Sequence, residues 1–415
     1  MDDRMNAVSA KEPNATSLLE TPYQIGTLAL PNRFVRSATH ESLAEDGAVS
    51  KRLITALSRL ARGRVGMIVT GAAAVAQDGR ISPTQIGLWD DRFLPGLARL
   101  VNEVHAAGDS RLIVQISHAG PHARGTVEPL APSLVQTLAL QARPRALTEL
   151  EIEHILEAYA DAARRAQRAG ADGVQFHMCH GDLPSSFMST ISNRREDRWG
   201  GPLENRIRFP LEVYRHARAA VGPDFPLMAK MNATDFKGGW KLDDALALAR
   251  ALAAEGIDAL EVSAGVSETW LGMSRGDVPV DMIVEGLGGG WLKRWATTLY
   301  FRLTSRRFAF TEAYLAPLAL AIKKAIPGTP VIAVGGFRTR ETMERTLAQA
   351  DNAIPMAHRA SGVDLIALSR PLIREPHLVR RMLEGKTDKA SCVNCNRCVI
   401  AIGFQERPLR CYYEG

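Results

Sequence analysis

The feature that most limits how this chain can fold is a series of eight short apolar runs, each bounded by Gly, Asp or Pro. Continuous apolar runs of this length are typical of strands buried on both faces of a parallel sheet. The runs begin at Arg33, Val65, Leu112, Asp172, Pro226, Asp258, Pro330 and Val363. We therefore predict eight buried parallel strands.

Amphipathic stretches lie between the runs, at 92–108, 148–170, 203–222 and 241–256, and the last three end in glycine, as helix C-termini often do. Strands that alternate with helices favour a closed (β/α)8 TIM barrel, an α/β fold. The alternative, an open Rossmann-like sheet, requires a G-x-G-x-x-G turn after an early strand. The stretch 65-VGMIVTGAAA and the other early turns do not supply it.

Two segments interrupt this alternation and suggest a division of the chain. We predict a flexible leader at 1–19, a barrel at 20–385 and a short cysteine-rich tail at 386–415. A long insertion after strand 6, at about 266–315, is expected to cap a site, because insertions at the C-terminal face of a barrel often do so.

Composition excludes several classes of function. The chain of 415 residues carries a formal charge of +6 from 51 basic and 45 acidic residues, without the basic run that tracks nucleic-acid phosphates. The leader is polar and lacks the apolar core of a signal peptide. No apolar stretch approaches the ~20 residues of a membrane span. We expect a cytoplasmic homo-oligomer that acts on a small molecule, with neither nucleic acid nor membrane as partner.

Four of the five cysteines lie in the last 24 residues. Cys392, Cys395 and Cys398 follow C-x2-C spacing, Cys411 follows after twelve intervening residues, and Cys179 lies alone in mid-chain. Such clustering in a chain without a signal peptide favours metal ligation over disulfides.

The residues at the strand ends carry the chemistry of a TIM barrel. Ser37, Ala38 and Thr39 after strand 1, and Ala72 after strand 2, are small enough for a flat ligand to approach the backbone, or for tight packing at the rim. Gln115 on strand 3 offers both a donor and an acceptor, which suits the edge of a flavin ring.

Strand 4 ends in His177 and His180. Two imidazoles three residues apart can hold a carbonyl or an anion, ligate a metal, or serve the structure; a zinc site would need a third ligand. Lys230 lies within the apolar run of strand 5 and needs an anion, either a reduced cofactor or a nearby carboxylate.

Strands 7 and 8 supply the residues of a phosphate grip. Gly335 and Gly336 follow strand 7, and Ser369 and Arg370 follow strand 8, as in the phosphate sites of many barrels. Together the strand ends predict a pocket for a flat, phosphorylated, redox-active ring, namely FMN.

At these positions the chain resembles the Old Yellow Enzyme-like NADH:flavin oxidoreductases, across about residues 20–385. The matching stretches are 31-PNRFVRSATHESLAEDG, 115-QISHAG, 177-HMCHGDLPSSFMSTISNRREDRWGGPLENR, 335-GGFR and 368-LSRPLIREP. The resemblance implies an FMN enzyme that takes hydride from NAD(P)H and passes it from flavin N5 to an electron-poor alkene.

The resemblance also assigns roles to single residues. Lys230 would face N1 and O2 of the flavin ring, and the pair His177 and His180 would hold the carbonyl oxygen of the substrate. The flavin would be lined by Ser37, Ala38, Thr39, Ala72 and Gln115, and its phosphate would be bound by Gly335, Gly336, Ser369 and Arg370.

Two positions depart from the pattern of the family. Asp182 stands where relatives commonly place the tyrosine that protonates the alkene carbon. A carboxylate beside two imidazoles favours the ionised form, so water or a residue of the insertion would have to donate the proton, or the reaction would be an oxidation. His40 stands where relatives place a thiol or threonine that tunes the flavin potential.

The tail resembles that of a branch of the family with a [4Fe–4S] cluster, which includes dienoyl-CoA reductases and amine dehydrogenases. This resemblance leaves three possibilities for Cys392, Cys395, Cys398 and Cys411: a cluster, zinc or no metal. It also raises the alternative of a dehydrogenase that oxidises a substrate such as an amine and passes electrons to an external partner.

Overall fold

Eight parallel strands close into a barrel, as the apolar runs predict. In the computed structural model, which describes residues 17–124, 128–135, 142–348, 362–405 and 407–414, neighbouring strands pair in chain order and the last strand pairs with the first. The strands are β1 Phe34–Arg36, β2 Met67–Val69, β3 Arg111–Ser117, β4 Gly173–Met178, β5 Leu227–Asn232, β6 Ala259–Ser263, β7 Val331–Val334 and β8 Leu365–Leu368. The (β/α)8 prediction is confirmed.

Helices follow the strands, and most of them cover the outside of the barrel. They are α1 Lys51–Arg62, α2 Leu94–Ala107, α3 Glu149–Arg168, α4 Leu183–Met188, α5 Leu203–Arg206, α6 Arg208–Val221, α7 Leu242–Ala254, α8 Trp270–Met273, α9 Val280–Leu287, α10 Trp291–Thr304, α11 Ala316–Ala325, α12 Arg340–Ala348, α13 Arg370–Arg374, α14 Leu378–Leu383 and α15 Arg397–Gln405. The helix α3 begins with a capping box, in which Thr148 and Glu151 each accept from the other's backbone N–H.

The apolar core has two layers. One fills the space between barrel and helices, and the other fills the barrel interior with side chains such as Met67, Ile113 and Met228. A hairpin of Tyr23–Ile25 and Leu28–Leu30 adds three apolar residues to the interior layer. Residues 1–16 of the predicted leader lie outside the described residues, whereas Leu19 is already buried in the core.

The insertion after β6 is helical and packs against the tail. Leu271, Ile283 and Phe301 from the insertion form one apolar cluster with Ile400 and Ala401 of α15. The insertion and the tail therefore form one cap over the carboxyl ends of the strands. Among the described helices, none combines the length and the apolar content that crossing a bilayer requires.

Candidate active site

A cavity of about 350 Å³ lies at the carboxyl ends of the strands, under the cap. Its walls come from the ends of β1, β5, β6, β7 and β8 and from α15. The volume falls within the range of about 300–1,000 Å³ that is usual for ligand pockets, and the position is that of the active site in TIM barrels.

Most of the residues predicted from the strand ends line this cavity. They are Ser37, Ala38, Thr39, His180, Lys230, Gly335, Gly336, Ser369 and Arg370. Ala72, Gln115, His177 and Asp182 do not belong to the cavity wall, and the last three are placed behind it, as described below. The roles of all these residues remain predictions.

Two glycines form the part of the wall that suits a phosphate. Gly335 and Gly336 have φ values of +118° and +83°, which side-chain-bearing residues rarely adopt. A Cβ at Gly336 would lie 2.7 Å from the ring of Tyr314, and one at Gly335 would lie 2.8 Å from Leu315. Both positions therefore require glycine, because a side chain would strain the backbone and clash with Tyr314 or Leu315. A glycine turn in the cavity wall fits the phosphate of FMN.

Lys230 has a carboxylate partner inside the barrel. Its Nζ lies 3.1 Å from Glu261 Oε1 and donates to Ser37 Oγ at 2.8 Å. Lys230 is paired directly with Glu261 in the register of β5 and β6, and both side chains are buried. Burial alone would raise the pKa of Glu261, but the charge of Lys230 and three hydrogen bonds lower it. The lowered pKa favours the ionised form of Glu261.

Gln115 belongs to the same network and not to the cavity wall. Its Nε2 donates to Gln175 Oε1 at 2.7 Å, and Gln175 Nε2 donates to Glu261 Oε2 at 2.9 Å. Ser37 Oγ donates to the other oxygen of Glu261. The network thus connects β1, β3, β4, β5 and β6, with Glu261 at its centre.

The two histidines lie together but face different partners. Their ring centroids are 5.2 Å apart and their planes are nearly perpendicular. His180 Nε2 lies 2.9 Å from Ser263 Oγ, whereas His177 Nε2 lies 3.4 Å from Asp182 Oδ2. His180 has a φ of +63°, and such strain in a residue other than glycine often marks a functional site. Of the two, His180 reaches the cavity.

Asp182 is buried, and both of its carboxylate oxygens lie beside polar partners. The Ser117 hydroxyl donates to its Oδ2 at 2.7 Å, and His122 Nδ1 lies 3.6 Å from its Oδ1. Burial opposes ionisation, but His177, His122 and Ser117 outweigh it and lower the pKa of Asp182. The lowered pKa favours the ionised carboxylate at neutral pH, and in that form Asp182 accepts hydrogen bonds and has no proton to donate.

A metal at the histidine pair was the alternative left open by the sequence. His177, Cys179 and His180 do place three ligand atoms within 4.8 Å of one another. Burial, however, raises the pKa of the Cys179 thiol well above its usual range, and a protonated thiol is a poor ligand. The geometry favours two imidazoles beside a cavity over a metal centre.

His40 reaches the cavity from β1 and remains neutral. Burial and the nearby Arg124 lower its pKa to about 4. Its Nε2 lies 3.3 Å from Ser82 Oγ. An uncharged imidazole at this position can tune a bound ring through hydrogen bonding but adds no positive charge.

The four tail cysteines line a second, smaller cavity of about 20 Å³, next to the first. Arg370 and Asn394 line both cavities, as does Cys398. Arg370 Nη1 donates to Asn396 Oδ1 at 2.6 Å and to the Arg275 carbonyl at 2.9 Å. The residue predicted to bind phosphate is therefore anchored by the cysteine loop.

Comparison with known proteins agrees with this geometry. The model of the NADH:flavin oxidoreductase / NADH oxidase family matches residues 18–267. The chain belongs to this family. The sequence-based identification as an Old Yellow Enzyme-like protein is confirmed.

Individual relatives in the family differ in length. An NADH oxidase from Thermoanaerobacter brockii is 35% identical over 397 residues, which are 94% of this chain and 54% of that protein. A 4,4'-dithiodibutanoate disulfide reductase from Rhodococcus erythropolis is 33% identical over 392 residues, 92% of each chain. The chain spans about half the length of the first relative and nearly all of the second.

Among solved structures, a 2-naphthoyl-CoA reductase complex is similar with a TM-score of 0.80 and 25% identity. The match covers 95% of this chain and 56% of that one. The likeness extends over the barrel, the cap and the tail together.

Several site residues were missed by the reasoning from sequence. Glu261 could have been found, because a carboxylate within the apolar run 258-DALEVSA has the same need for a partner as Lys230. Ser117 and His122 gave weaker signals. Ser117 lies within the 115-QISHAG stretch and His122 lies two residues after it, and neither has a fixed spacing to Asp182. Asn394 and Asn396 gave no signal apart from their places between the cysteines.

We expect Lys230→Met to lower the free energy of unfolding by about 3–5 kcal/mol, because it leaves Glu261 buried without its counter-charge. The double variant Lys230→Met/Glu261→Gln should recover much of this loss. Urea unfolding of the three proteins measures both effects. Equal loss in single and double variants would contradict the ion-pair interpretation.

We expect Asp182→Asn to lower the free energy of unfolding at about pH 7 by about 1–3 kcal/mol, since it weakens a buried hydrogen-bonded group. The folded pKa of Asp182 is lowered, so its contribution is complete above the unfolded value of about 4 and is lost as pH falls through the folded value. The difference from the unsubstituted protein should therefore shrink on acidification. Urea unfolding at about pH 7 and about pH 3 measures it, and a difference that stays constant would refute an ionised Asp182.

Proposed function

We propose that this enzyme reduces electron-poor alkenes, of the α,β-unsaturated carbonyl class, with NAD(P)H as donor. When bound, FMN would supply the hydride chemistry, from the nicotinamide and then from N5 to the alkene. The observation that carries the proposal is the cavity wall, which places His180, Lys230 and the glycine pair 335–336 around one space of suitable size.

Different residues of this cavity wall would bind different parts of the flavin. Gly335, Gly336 and Ser369 would hold the phosphate through close backbone and hydroxyl contacts. Lys230, fixed by Glu261 and Ser37, would lie at the ring. Because Glu261 offsets the charge of Lys230, the lysine would act on a neighbouring group mainly by donating a hydrogen bond.

The substrate oxygen would be held by His180, with His177 behind it. The carbon end of the substrate meets no acid at position 182, because Asp182 is ionised and engaged with Ser117 and two histidines. The proton would thus come from water or from another group. Acceptors that need no proton on carbon fit such a site equally well, and the similarity to a disulfide reductase supports this extension.

The test is anaerobic stopped-flow absorbance. NAD(P)H should bleach the flavin, and cyclohexenone should restore it. His180→Ala should slow the second step by about 100-fold, as loss of a donor to a developing oxyanion does, whereas His154→Ala on the exposed side of α3 should not change it. A flavin that neither nicotinamide reduces would rule out the proposal.

A second candidate function follows from the tail. We propose that Cys392, Cys395, Cys398 and Cys411 hold a [4Fe–4S] cluster, so that the enzyme could instead oxidise a substrate such as an amine and pass electrons to an external partner. The four thiols share one cavity, and that cavity shares a wall with the predicted flavin site. Thiolates are the ligands that such clusters take.

A buried amide beside the cysteines favours a cluster over a single zinc ion. Among the described residues, Asn394 Nδ2 is buried and has no acceptor, which suits an N–H donor facing inorganic sulfide.

We expect the protein, when purified without oxygen, to contain iron and sulfide and to show an absorbance shoulder beside the flavin bands. Cys395→Ser should abolish both the iron and the shoulder, and Cys179→Ser, which removes the remote thiol, should retain them. Iron analysis and electron paramagnetic resonance after dithionite reduction provide the readouts. Iron-free protein from an iron-replete, anaerobic preparation would exclude the cluster.

A further inference from the structure

The helix α10 of the insertion turns its apolar side outward. Its large exposed residues include two tryptophans and a leucine at 60–79% exposure: Trp291 at 79%, Leu303 at 70% and Trp295 at 60%. Phe301 is the residue of this helix that is buried, and Thr297 and Thr298 beside it are partly buried. A helix that served only the fold would do the reverse, with threonine outside and tryptophan inside.

The exposed apolar residues lie on one face of the helix, which also carries the exposed Arg302. At 100° per residue, Trp291, Leu292, Trp295, Leu299 and Leu303 fall within an arc of about 120°. Lys293 and Arg294 flank this arc on its two sides. An exposed apolar face of this size on a soluble domain marks an interaction site.

The charge around α10 has a single sign. Residues 286–311 contain five basic residues and no Asp or Glu. The nearest helix, α9, carries Asp281 and Glu285, but these pair with Arg397 and Arg407 of the tail. The basic residues of α10 are therefore available to a negatively charged surface.

This combination fits a lipid surface better than a second copy of the chain. In a twofold dimer built on this face, Lys293 and Arg294 of both copies would come together without an acidic partner on the helix, and like charges oppose association. Tryptophan, tyrosine and leucine between lysine and arginine are typical of helices that lie at the boundary of a membrane.

We propose that α10 docks the enzyme on the surface of a bilayer that contains anionic phospholipid. Trp291, Trp295, Leu299 and Leu303 enter the boundary between headgroups and acyl chains, while Lys293 and Arg294 contact the lipid phosphates. This revises the expectation that the protein has no membrane partner, which rested on the absence of a spanning segment. The helix lies on the membrane without crossing it.

The position of α10 connects docking to the cavity. α10 packs against α9, and α9 packs against α15. Val399, Ile402 and Gly403 of α15 line the main cavity. Docking would thus place the cap of the active site against the membrane, where apolar substrates concentrate.

Flotation with lipid vesicles tests the proposal on the full chain. Vesicles of equimolar phosphatidylcholine and phosphatidylglycerol should carry the protein, and vesicles of phosphatidylcholine alone should carry much less. Lys293→Gln/Arg294→Gln should weaken binding by about 30-fold, since each basic residue near an anionic surface contributes about fivefold. Lys51→Gln/Arg52→Gln, an exposed pair on α1, is the matched control and should bind normally.

A second pair of variants tests the apolar face. Trp291→Ser/Trp295→Ser should abolish binding, and Leu150→Ser, which removes an exposed leucine of α3, should not. Flavin absorbance and thermal unfolding should be the same in all variants. Failure to float with anionic vesicles, or equal binding to neutral vesicles, would overturn the proposal. So would a lipid-free dimer, seen by analytical ultracentrifugation, that Trp291→Ser/Trp295→Ser dissociates.

Discussion

The ion pair between Lys230 and Glu261 is the interaction on which the site depends. Both groups are buried inside the barrel, where an isolated charge would be very costly, so each requires the other. The surrounding hydrogen bonds from Ser37 and Gln175 fix the carboxylate, and through it the ends of five strands. A site built on strands that are locked together in this way holds its cavity wall in place before any ligand binds, which is the condition for electrostatic catalysis.

Much of the fold could be predicted because a parallel barrel repeats one local pattern eight times. Each strand is buried on both faces and reads as an apolar run, and each polar residue within a run stands out. Lys230 was found in this way, and Glu261 could have been. The directions of the side chains could not be predicted in the same manner. His177 turns to Asp182 instead of the cavity because Ser117, from a different strand, holds that carboxylate in place. Contacts between distant segments of this kind leave no periodic signal in the sequence.

In the cap, too, the directions of the side chains could not be predicted from the sequence. The insertion was recognised by its length. The helical spacing of Trp291, Trp295, Leu299 and Leu303 would assign that face to the core, whereas in the structure it is exposed. Only the packing of Phe301 against the tail determines which face of α10 points inward. Once that face is fixed, the tryptophans must be exposed. An apolar surface of this kind is costly in water and is retained where it binds something.

The tail is part of the active site and not an appendage to it. Arg370, which the sequence assigns to the flavin phosphate, already donates to Asn396 between two of the cysteines. Asn396 in turn donates to the backbone of the insertion, at Ser274 and Asp277. Filling the cysteine cavity with the proposed cluster would therefore stiffen the loop that anchors Arg370. Under both proposed functions, retention of the flavin phosphate would depend on the order of this loop, because Asn396 connects Arg370 to it.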